Sequence, residues 1–202
     1  HLGVVFDDLR VPDKLTLQSI NKVFTEIYDA WNSDTFFSLI KAFELPTNNQ
    51  IKTFSRGMRM KAALTIALSH DAKLLILDEA TAGMDVSGRE HVLEILEDYL
   101  GDDRAILISS HISEDIEQLA TQLVFMRDGR IILKESKEVL LSHYGIIDQP
   151  VEHFNISNEY LIATRRRNDR QIGLVNNYHK VPDAQPLKTI DDATKIIMRG
   201  DK

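Results

Sequence analysis

Two acidic residues, Asp78 and Glu79, directly follow a run of four apolar residues, LLIL at 74–77. Ligands of open parallel sheets bind outside the carboxyl ends of the strands, where these acids would lie. Neighbouring residues on an extended strand point in opposite directions, so the two carboxylates can do different work. One acid could hold Mg²⁺ through its waters, and the next could orient or deprotonate the water that attacks a γ-phosphate. The alternative is a helix cap or a solvated loop, where acids are also common.

A second apolar run, at 105–109, leads to His111. If the two runs form neighbouring parallel strands, His111 lies at the same edge of the sheet as Asp78 and Glu79. An imidazole N–H could then reach a γ-phosphate. A single His after a strand is more often simply packed or exposed, so the pattern gains weight only from the acid pair.

Ser55 opens a predicted helix and is followed by Arg56 and Gly57 in the first turn. The free N–H groups and the positive dipole end of a helix attract an anion, and Arg56 adds positive charge. An ordinary Ser N-cap is the default interpretation of an isolated Ser-x-Gly. This stretch is therefore a weak anion-site signal by itself.

The elements that must position these residues follow from the apolar spacing. Strands are predicted at 2–6, 74–77 and 105–109, and their continuous apolar character indicates a parallel sheet covered on both faces. Helical spacing predicts helices between and after the strands. Their predicted first residues are Thr16, Ser33 or Asp34, Ser55, Ser87, Ser113, Ser136 and Thr189.

Finer features of the later chain are also predicted. Glu114 and Asp115 stand in the first turn of the short helix at Ser113, where they suit the helix dipole. Asp128-Gly129 predicts a hairpin turn, and Gly145 fits the end of a helix. Residues 159–166 and 172–176 could pair as a further hairpin.

The order and spacing of these motifs resemble the nucleotide-binding subunit of an ABC transporter, and the tail after residue 150 adds a weaker resemblance to the bacterial exporter type. LLILDE resembles the Walker B strand, which implies that Asp78 is the magnesium-side acid and Glu79 the catalytic base. ILISSH resembles the switch segment, which implies a catalytic role for His111. AGMD at 82–85 resembles the D-loop, with Asp85 as its acid.

FSRGMR occupies the place of the family's signature motif, Leu-Ser-Gly-Gly-Gln. Ser55 and Gly57 match it, whereas Arg56 replaces the first Gly and Met58 replaces the Gln. LGVVFDD followed by LTLQSI resembles the Q-loop region, where Asp7 stands in place of the expected Gln. The resemblance covers at least residues 2–145 and implies that these five positions contact the nucleotide site.

The phosphate-binding loop, Gly-x-x-x-x-Gly-Lys-Ser/Thr, has no match, because none of the nine Gly residues precedes a Lys. Gly83 and Gly88 have the spacing, but Arg89 and Glu90 stand where Lys and Ser/Thr are needed. We expect the loop to lie upstream of His1. The expected fold is therefore α/β: a P-loop NTPase-type parallel sheet, partial because it lacks the Walker A part, with an inserted helical subdomain and a small C-terminal extension.

The predicted domain organisation has two parts. A partial ABC ATPase domain spans 1–145, with a helical subdomain at about 14–70 and a core α/β part at about 71–145. A C-terminal extension spans 146–202, and its final stretch resembles the tail of exporter-type subunits.

The resemblance implies ATP and Mg²⁺ as cofactors and ATP hydrolysis coupled to transport. It also implies a second ATP-binding subunit as partner, in a homodimer, and a membrane-spanning permease subunit. The expected location is cytoplasmic, peripheral on the inner face of the cell membrane. A net charge of −7 offers no basic face for nucleic acid. The chain has no cysteine and no apolar run that approaches a membrane span.

Two alternatives stay open. The chain by itself could be a catalytically silent module that only binds partners, and the presence of a Gly-Lys-Ser/Thr loop in the intact subunit would decide against that. A non-transport ABC ATPase would normally carry a long coiled-coil insert or a second cassette, and neither is seen.

Overall fold

The computed structural model describes residues 1–200 and consists of two compact units, which divide between Leu119 and Ala120. The first unit holds the acid pair, His111 and the Ser55 helix. Its elements are β1 (Leu2–Val5), α1 (Leu17–Ile27), α2 (Ser33–Ala42), α3 (Arg56–Leu68), β2 (Leu74–Asp78), α4 (Val86–Tyr99), β3 (Ala105–Ser109) and α5 (Ser113–Leu119), with a 3-10 turn at Ile51–Thr53.

The three strands form a parallel sheet, as the apolar runs predict, and their order in the sheet is β1-β2-β3. One face is covered by helices α3 and α4: Leu75 and Leu77 in the central strand are buried in the main hydrophobic cluster, and Ile106 and Ile108 of β3 pack against it partly buried. The other face is open: Leu2 is 52% exposed and Leu107 is 61% exposed. The prediction of a sheet covered on both faces is therefore wrong for the described residues, because their helices pack on one side only.

Helices α1 to α3 lie in the connection between β1 and β2, so the predicted helical insertion is present. Local signals start these helices: Thr16 and Ser19 form a capping box at α1, and Asn32 caps α2. Ile20, Phe36 and Met60 are buried in the same cluster as the strand residues. The core therefore continues from the helical region into the sheet, which holds α3 in a fixed position against the strands.

The second unit begins with an antiparallel hairpin that turns at Asp128 and Gly129, both of which have positive φ, as that turn type requires. A four-stranded sheet in the order β7-β8-β6-β9 follows. The elements are β4 (Gln122–Arg127), β5 (Arg130–Ser136), α6 (Lys137–His143), β6 (Gly145–Pro150), β7 (Leu161–Arg167), β8 (Arg170–Val175), β9 (Gln185–Pro186) and α7 (Ile190–Arg199), with 3-10 turns at Val151–His153 and Tyr178–Lys180.

Gly145 opens strand β6 instead of ending α6, which stops at His143. A Cβ at position 145 would meet the Tyr178 Cβ at 2.5 Å, so the Gly is needed for close packing of the chain. Strand β6 itself is an element that the sequence pattern does not predict. The expected domain boundary at 145/146 falls at the start of this strand and stays a prediction.

Among the described residues, no helix is long and apolar enough to cross a membrane. One hydrophobic cluster of the second unit centres on Ile147, Val175 and Val181, and other apolar residues of this unit, such as Leu140 and Ile197, are also buried.

Candidate functional site

Glu79 and His111 meet at the carboxyl edge of the parallel sheet. Strand β2 ends at Asp78, and β3 ends at Ser109, its register partner. The Glu79 backbone N–H donates to the Ser109 carbonyl at 3.1 Å, which holds the two strand ends together. Beyond them, Glu79 Oε2 lies 2.5 Å from His111 Nδ1. The predicted juxtaposition of these two side chains is present.

Glu79 itself is not part of an extended strand, because its φ is +52°. The prediction that the two acid side chains point in opposite directions assumed that both residues lie on an extended strand, and this assumption is wrong. The chain turns at Glu79 in a conformation that L-residues seldom adopt. The acids still have separate partners. Asp78 Oδ1 accepts a hydrogen bond from Ser109 Oγ at 2.6 Å, whereas Glu79 contacts His111. Two carboxylates with different surroundings can serve two roles.

The imidazole ring of His111 is well placed to serve both Glu79 and an anion. Its side chain is 71% exposed, while that of Glu79 is 31% exposed. When Nδ1–H donates to Glu79, Nε2 on the other side of the ring can bind a different partner. The imidazole can donate from both nitrogens at once only when both are protonated. The pair can therefore pass a proton between the carboxylate and the ring, or orient the carboxylate toward a water molecule.

Asp78 fits a magnesium ion that keeps most of its own water. Mg²⁺ at phosphate sites is commonly held by one or two carboxylates together with substrate oxygens and waters. Asp78 is exposed and has one oxygen bound to Ser109, which leaves the other free for a hydrated ion. No group of three or more His, Cys, Asp or Glu side chains that could hold a metal occurs among residues 1–200. The donor set suits outer-sphere binding and does not suit a metal cage made by the protein alone.

Ser55 caps helix α3, and its hydroxyl oxygen accepts the Met58 N–H at 3.3 Å. Both Ser55 and Arg56 are exposed at the helix start. Gly57 packs against the loop after β2, since a Cβ built on it would lie 3.3 Å from the Gly83 carbonyl oxygen. The signature-like segment is thus an exposed helix N-terminus that rests on the D-loop-like segment.

Asp85 is the N-cap residue of α4 and is exposed, without a side-chain hydrogen bond at the cap. Two residues earlier, Gly83 has φ +79° and faces the Arg56 side chain. The D-loop-like segment at 82–85 and the signature-like segment at 54–59 are therefore in contact within one chain. Asp85 is exposed two residues after the Gly83 contact.

Asp7 lines a cleft of about 450 Å³ together with Asp8, Arg56 and Arg59. Arg59 donates to Asp8 Oδ1 at 2.8 Å and to Asp13 Oδ1 at 3.0 Å. The hydrogen bond from Arg59 lowers the pKa of the Asp8 carboxyl. Asp7 and Arg56, the two charged departures from the family motifs, thus border the same cleft with opposite charge.

Several residues that surround the site were not identified as site residues from the sequence. Arg59 fastens the loop after β1 to α3, and Ser109 binds Asp78. Asp115 is fully buried and accepts hydrogen bonds from Thr81 and Ser110. The prediction that Asp115 suits the helix dipole in the first turn of α5 does not include these contacts. Only a hydroxyl two residues after Glu79 hints at the network in the sequence.

A family model described as "ABC transporter" matches residues 1–82. The lantibiotic transport ATP-binding protein SrtF of Streptococcus pyogenes is 41% identical over 116 residues, 57% of this chain and 47% of SrtF. The ABC transporter ATP-binding protein NatA of Bacillus subtilis (strain 168) is 32% identical over 93 residues, 46% of this chain and 38% of NatA. The chain thus spans half the length of these relatives or less.

Solved structures share the fold. One is described as the ATP-binding subunit of an ABC transporter; its TM-score is 0.62 at 21% identity, over 69% of this chain and 60% of that one. Another is a dimeric ATP-binding cassette in a post-hydrolysis state with ADP and phosphate; its TM-score is 0.59 at 19% identity, over 67% of this chain and 62% of that one. The predicted α/β fold is confirmed.

Proposed function

We propose that this chain is part of an ABC transporter ATP-binding protein and that it supplies the catalytic edge of an ATPase that drives export through a membrane partner. The observation that carries the proposal is the contact of Glu79 with His111 at the ends of two parallel strands. In the proposal Glu79 is the general base, and His111 orients it and faces the γ-phosphate.

The work of these side chains follows from their contacts. Glu79 Oε2 is held by the His111 ring, so the carboxylate keeps one orientation while its other oxygen can accept a proton from water. The positive φ at Glu79 turns the side chain away from the strand direction and toward His111. A preset orientation lowers the entropy cost of placing the attacking water.

The cofactors of the proposed reaction are ATP and Mg²⁺. Mg²⁺, when bound, neutralises charge that develops on the phosphates. Asp78 would hold it through water, and the Ser109 hydroxyl fixes the orientation of that carboxylate.

Ser55, Arg56, Gly57 and Met58 are proposed to contact ATP held by a second ATP-binding subunit, in a homodimer. Support comes from the exposure of Ser55 and Arg56 at the N-terminus of α3, where backbone N–H groups attract an anion. Asp85, at the exposed start of α4, is proposed to face the same partner.

The membrane partner is proposed to be a permease subunit, with this chain peripheral on the cytoplasmic face. The name of SrtF, a transport ATP-binding protein, supports a transport role. Asp7 borders the cleft with Arg56 and is proposed to report the state of the nucleotide site to that partner. By itself, the 202-residue chain is proposed to be inactive in hydrolysis, because it has no Gly-Lys-Ser/Thr loop.

The test is Glu79→Gln in the subunit purified in its ATP-hydrolysing form. Loss of a general base should lower kcat by a factor of about 10²–10⁴ and leave ATP binding intact. Glu90→Gln, a change of an exposed acid on α4, is the matched control and should keep near-normal turnover. Near-normal kcat in Glu79→Gln would remove Glu79 from the role of base. Absence of ATP hydrolysis in every preparation of the unaltered subunit would reject the proposed activity itself.

A further inference from the structure

Asp115 is a charged side chain with no exposure at all, at the start of the short helix α5. An unpaired carboxylate is very costly to bury, so its partners must compensate for the lost water. Nothing in the proposed hydrolysis uses Asp115. A buried acid outside the reacting groups therefore needs a separate explanation.

Three side chains surround the Asp115 carboxylate. Thr81 donates its hydroxyl proton to Oδ2, and Ser110 Oγ donates to the same oxygen at 3.2 Å. Arg89 Nε lies 3.5 Å from Oδ1, an ion pair without hydrogen-bond geometry. One carboxylate thus contacts three separate parts of the first unit.

Each partner stands beside a residue of the proposed site. Thr81 comes two residues after Glu79, in the turn that the Ala82 N–H closes on the Glu79 carbonyl at 2.9 Å. Ser110 directly precedes His111. Arg89 lies in the first turns of α4, whose N-cap is Asp85. The Asp115 carboxylate therefore links the loop of the base, the loop of the switch His and the helix that follows the D-loop-like segment.

Ser110 extends the link to the conformation of the His111 loop. Its oxygen accepts the Ile112 N–H at 3.0 Å, and its proton goes to the nearer of two acceptors, which is Asp115 Oδ2 at 3.2 Å and not the Ile112 carbonyl oxygen at 3.5 Å. The hydroxyl thus closes a tight turn around His111 and anchors that turn to a buried group. Hydrogen-bond chains of this kind in a water-poor interior rigidify the segments they connect.

From these contacts we propose that Asp115 is a positioning residue that sets the Glu79–His111 pair by fixing both loops to one buried carboxylate. It touches neither nucleotide nor water in this role. It acts by holding Thr81 and Ser110 at a constant separation. The inference concerns the same site as the proposed function, and its kinetic arm rests on that function.

The first arm uses the 202-residue chain and does not depend on ATP hydrolysis. Asp115→Asn keeps the shape but cannot accept from both hydroxyls on one charged oxygen. Amide hydrogen exchange should rise about tenfold or more at residues 79–85 and 110–112, with little change at 62–67 in α3, because only local openings become easier. Glu114→Gln, a change of the exposed neighbour on α5, should alter neither region.

The same measurement on Thr81→Val and Thr81→Ser separates positioning from folding. Thr81→Val removes the hydroxyl without removing volume and should reproduce the local increase, including the increase at 110–112 across the network. Thr81→Ser keeps the hydroxyl and should restore slow exchange. Exchange that rises equally in all segments, or an effect of Thr81→Val confined to 79–85, would overturn the proposal.

The second arm measures steady-state hydrolysis by the subunit in its ATP-hydrolysing form. Asp115→Asn and Thr81→Val should each lower kcat about tenfold with an unchanged KM for ATP, as expected when only the transition-state arrangement is disturbed. The double variant should be no slower than either single one, because both changes break the same link. Unchanged kcat, or a loss in KM alone, would overturn the role of Asp115 even if Glu79→Gln confirms the base.

Discussion

Gly83 shows how a single residue without a side chain shapes the contact between two functional segments. Its φ is +79°, and a Cβ there would lie 2.9 Å from the Cδ of Arg56. Gly83→Ala should lower the free energy of unfolding of the first unit by about 1–2 kcal/mol, the cost of a left-handed conformation for an L-residue. Denaturant unfolding followed by the fluorescence of Trp31, the one Trp of the chain, measures it.

Gly101→Ala is the matched control, because a Cβ at that position meets nothing within 4 Å. It should change the free energy of unfolding by less than about 0.5 kcal/mol. The double variant with Gly83→Ala and Arg56→Ala should regain only the part of the lost free energy of unfolding that comes from crowding between the new Cβ and the Arg56 side chain. Equal effects of the two glycine substitutions would show that neither backbone strain nor the Arg56 contact matters at Gly83.

At the scale of elements, His70 connects the ends of two helices. It follows Ser69, the C-cap of α3, and stacks on Tyr28, the C-cap of α1, with ring centroids 4.7 Å apart. Its exposure is 7%, and burial lowers the pKa of the imidazole. The neutral ring is therefore the form that holds the two helices together.

The sign of the resulting pH dependence follows. As the pH falls below about 6.5, the unfolded chain protonates at this residue before the folded one does, so the unfolded state is favoured. The stability of the first unit should therefore be full above pH 6.5, decrease as the pH falls toward the folded pKa, and level off below it. His70→Phe keeps an aromatic ring and should remove this part of the decrease between pH 7 and 5.

The measurement is denaturant unfolding at several pH values, again followed by Trp31. His153→Gln, a change of an exposed His in the second unit, should leave the profile of the first unit as it was. If His70→Phe and the unaltered chain lose stability in parallel between pH 7 and 5, another group is responsible for the pH dependence.

At the scale of the whole molecule, charge decides what the chain can bind. The net charge is −7, and the hydrogen bonds and ion pairs that the Asp78, Glu79 and His111 side chains make within residues 1–200 include no Lys or Arg. Ground-state binding of a triphosphate depends on cations and on cradles of N–H groups. The 202-residue chain should therefore bind Mg-ATP with a Kd weaker than about 1 mM.

Isothermal titration calorimetry with Mg-ATP is the measurement, with a titration of Mg²⁺ alone as control for heat from the metal. Micromolar affinity for the nucleotide would contradict the expectation and reveal a phosphate site elsewhere in the chain. Affinity that is equally weak for Mg-ATP and Mg²⁺ would agree with it.

Local signals in the sequence predict much of the fold. Thr16, Ser55 and Thr189 each cap a helix, as their side-chain hydrogen bonds show, because a cap needs only a hydroxyl three residues before an N–H. The ends of β2 and β3 follow from apolar runs of ordinary strand length. These signals also bring Glu79 and His111 to one edge, since neighbouring parallel strands end together.

What the sequence does not show depends on contacts between distant residues. The Arg59–Asp8 link joins residues 51 positions apart, and the Asp115–Thr81 link joins residues 34 apart. An acid on a short helix is usually exposed, and Asp115 is buried only because the loop with Thr81 and the helix with Arg89 pack over it. The positive φ of Glu79 likewise has no local signature. The sequence by itself thus determined the elements and the reactive pair, while tertiary packing decided which buried groups hold that pair in place.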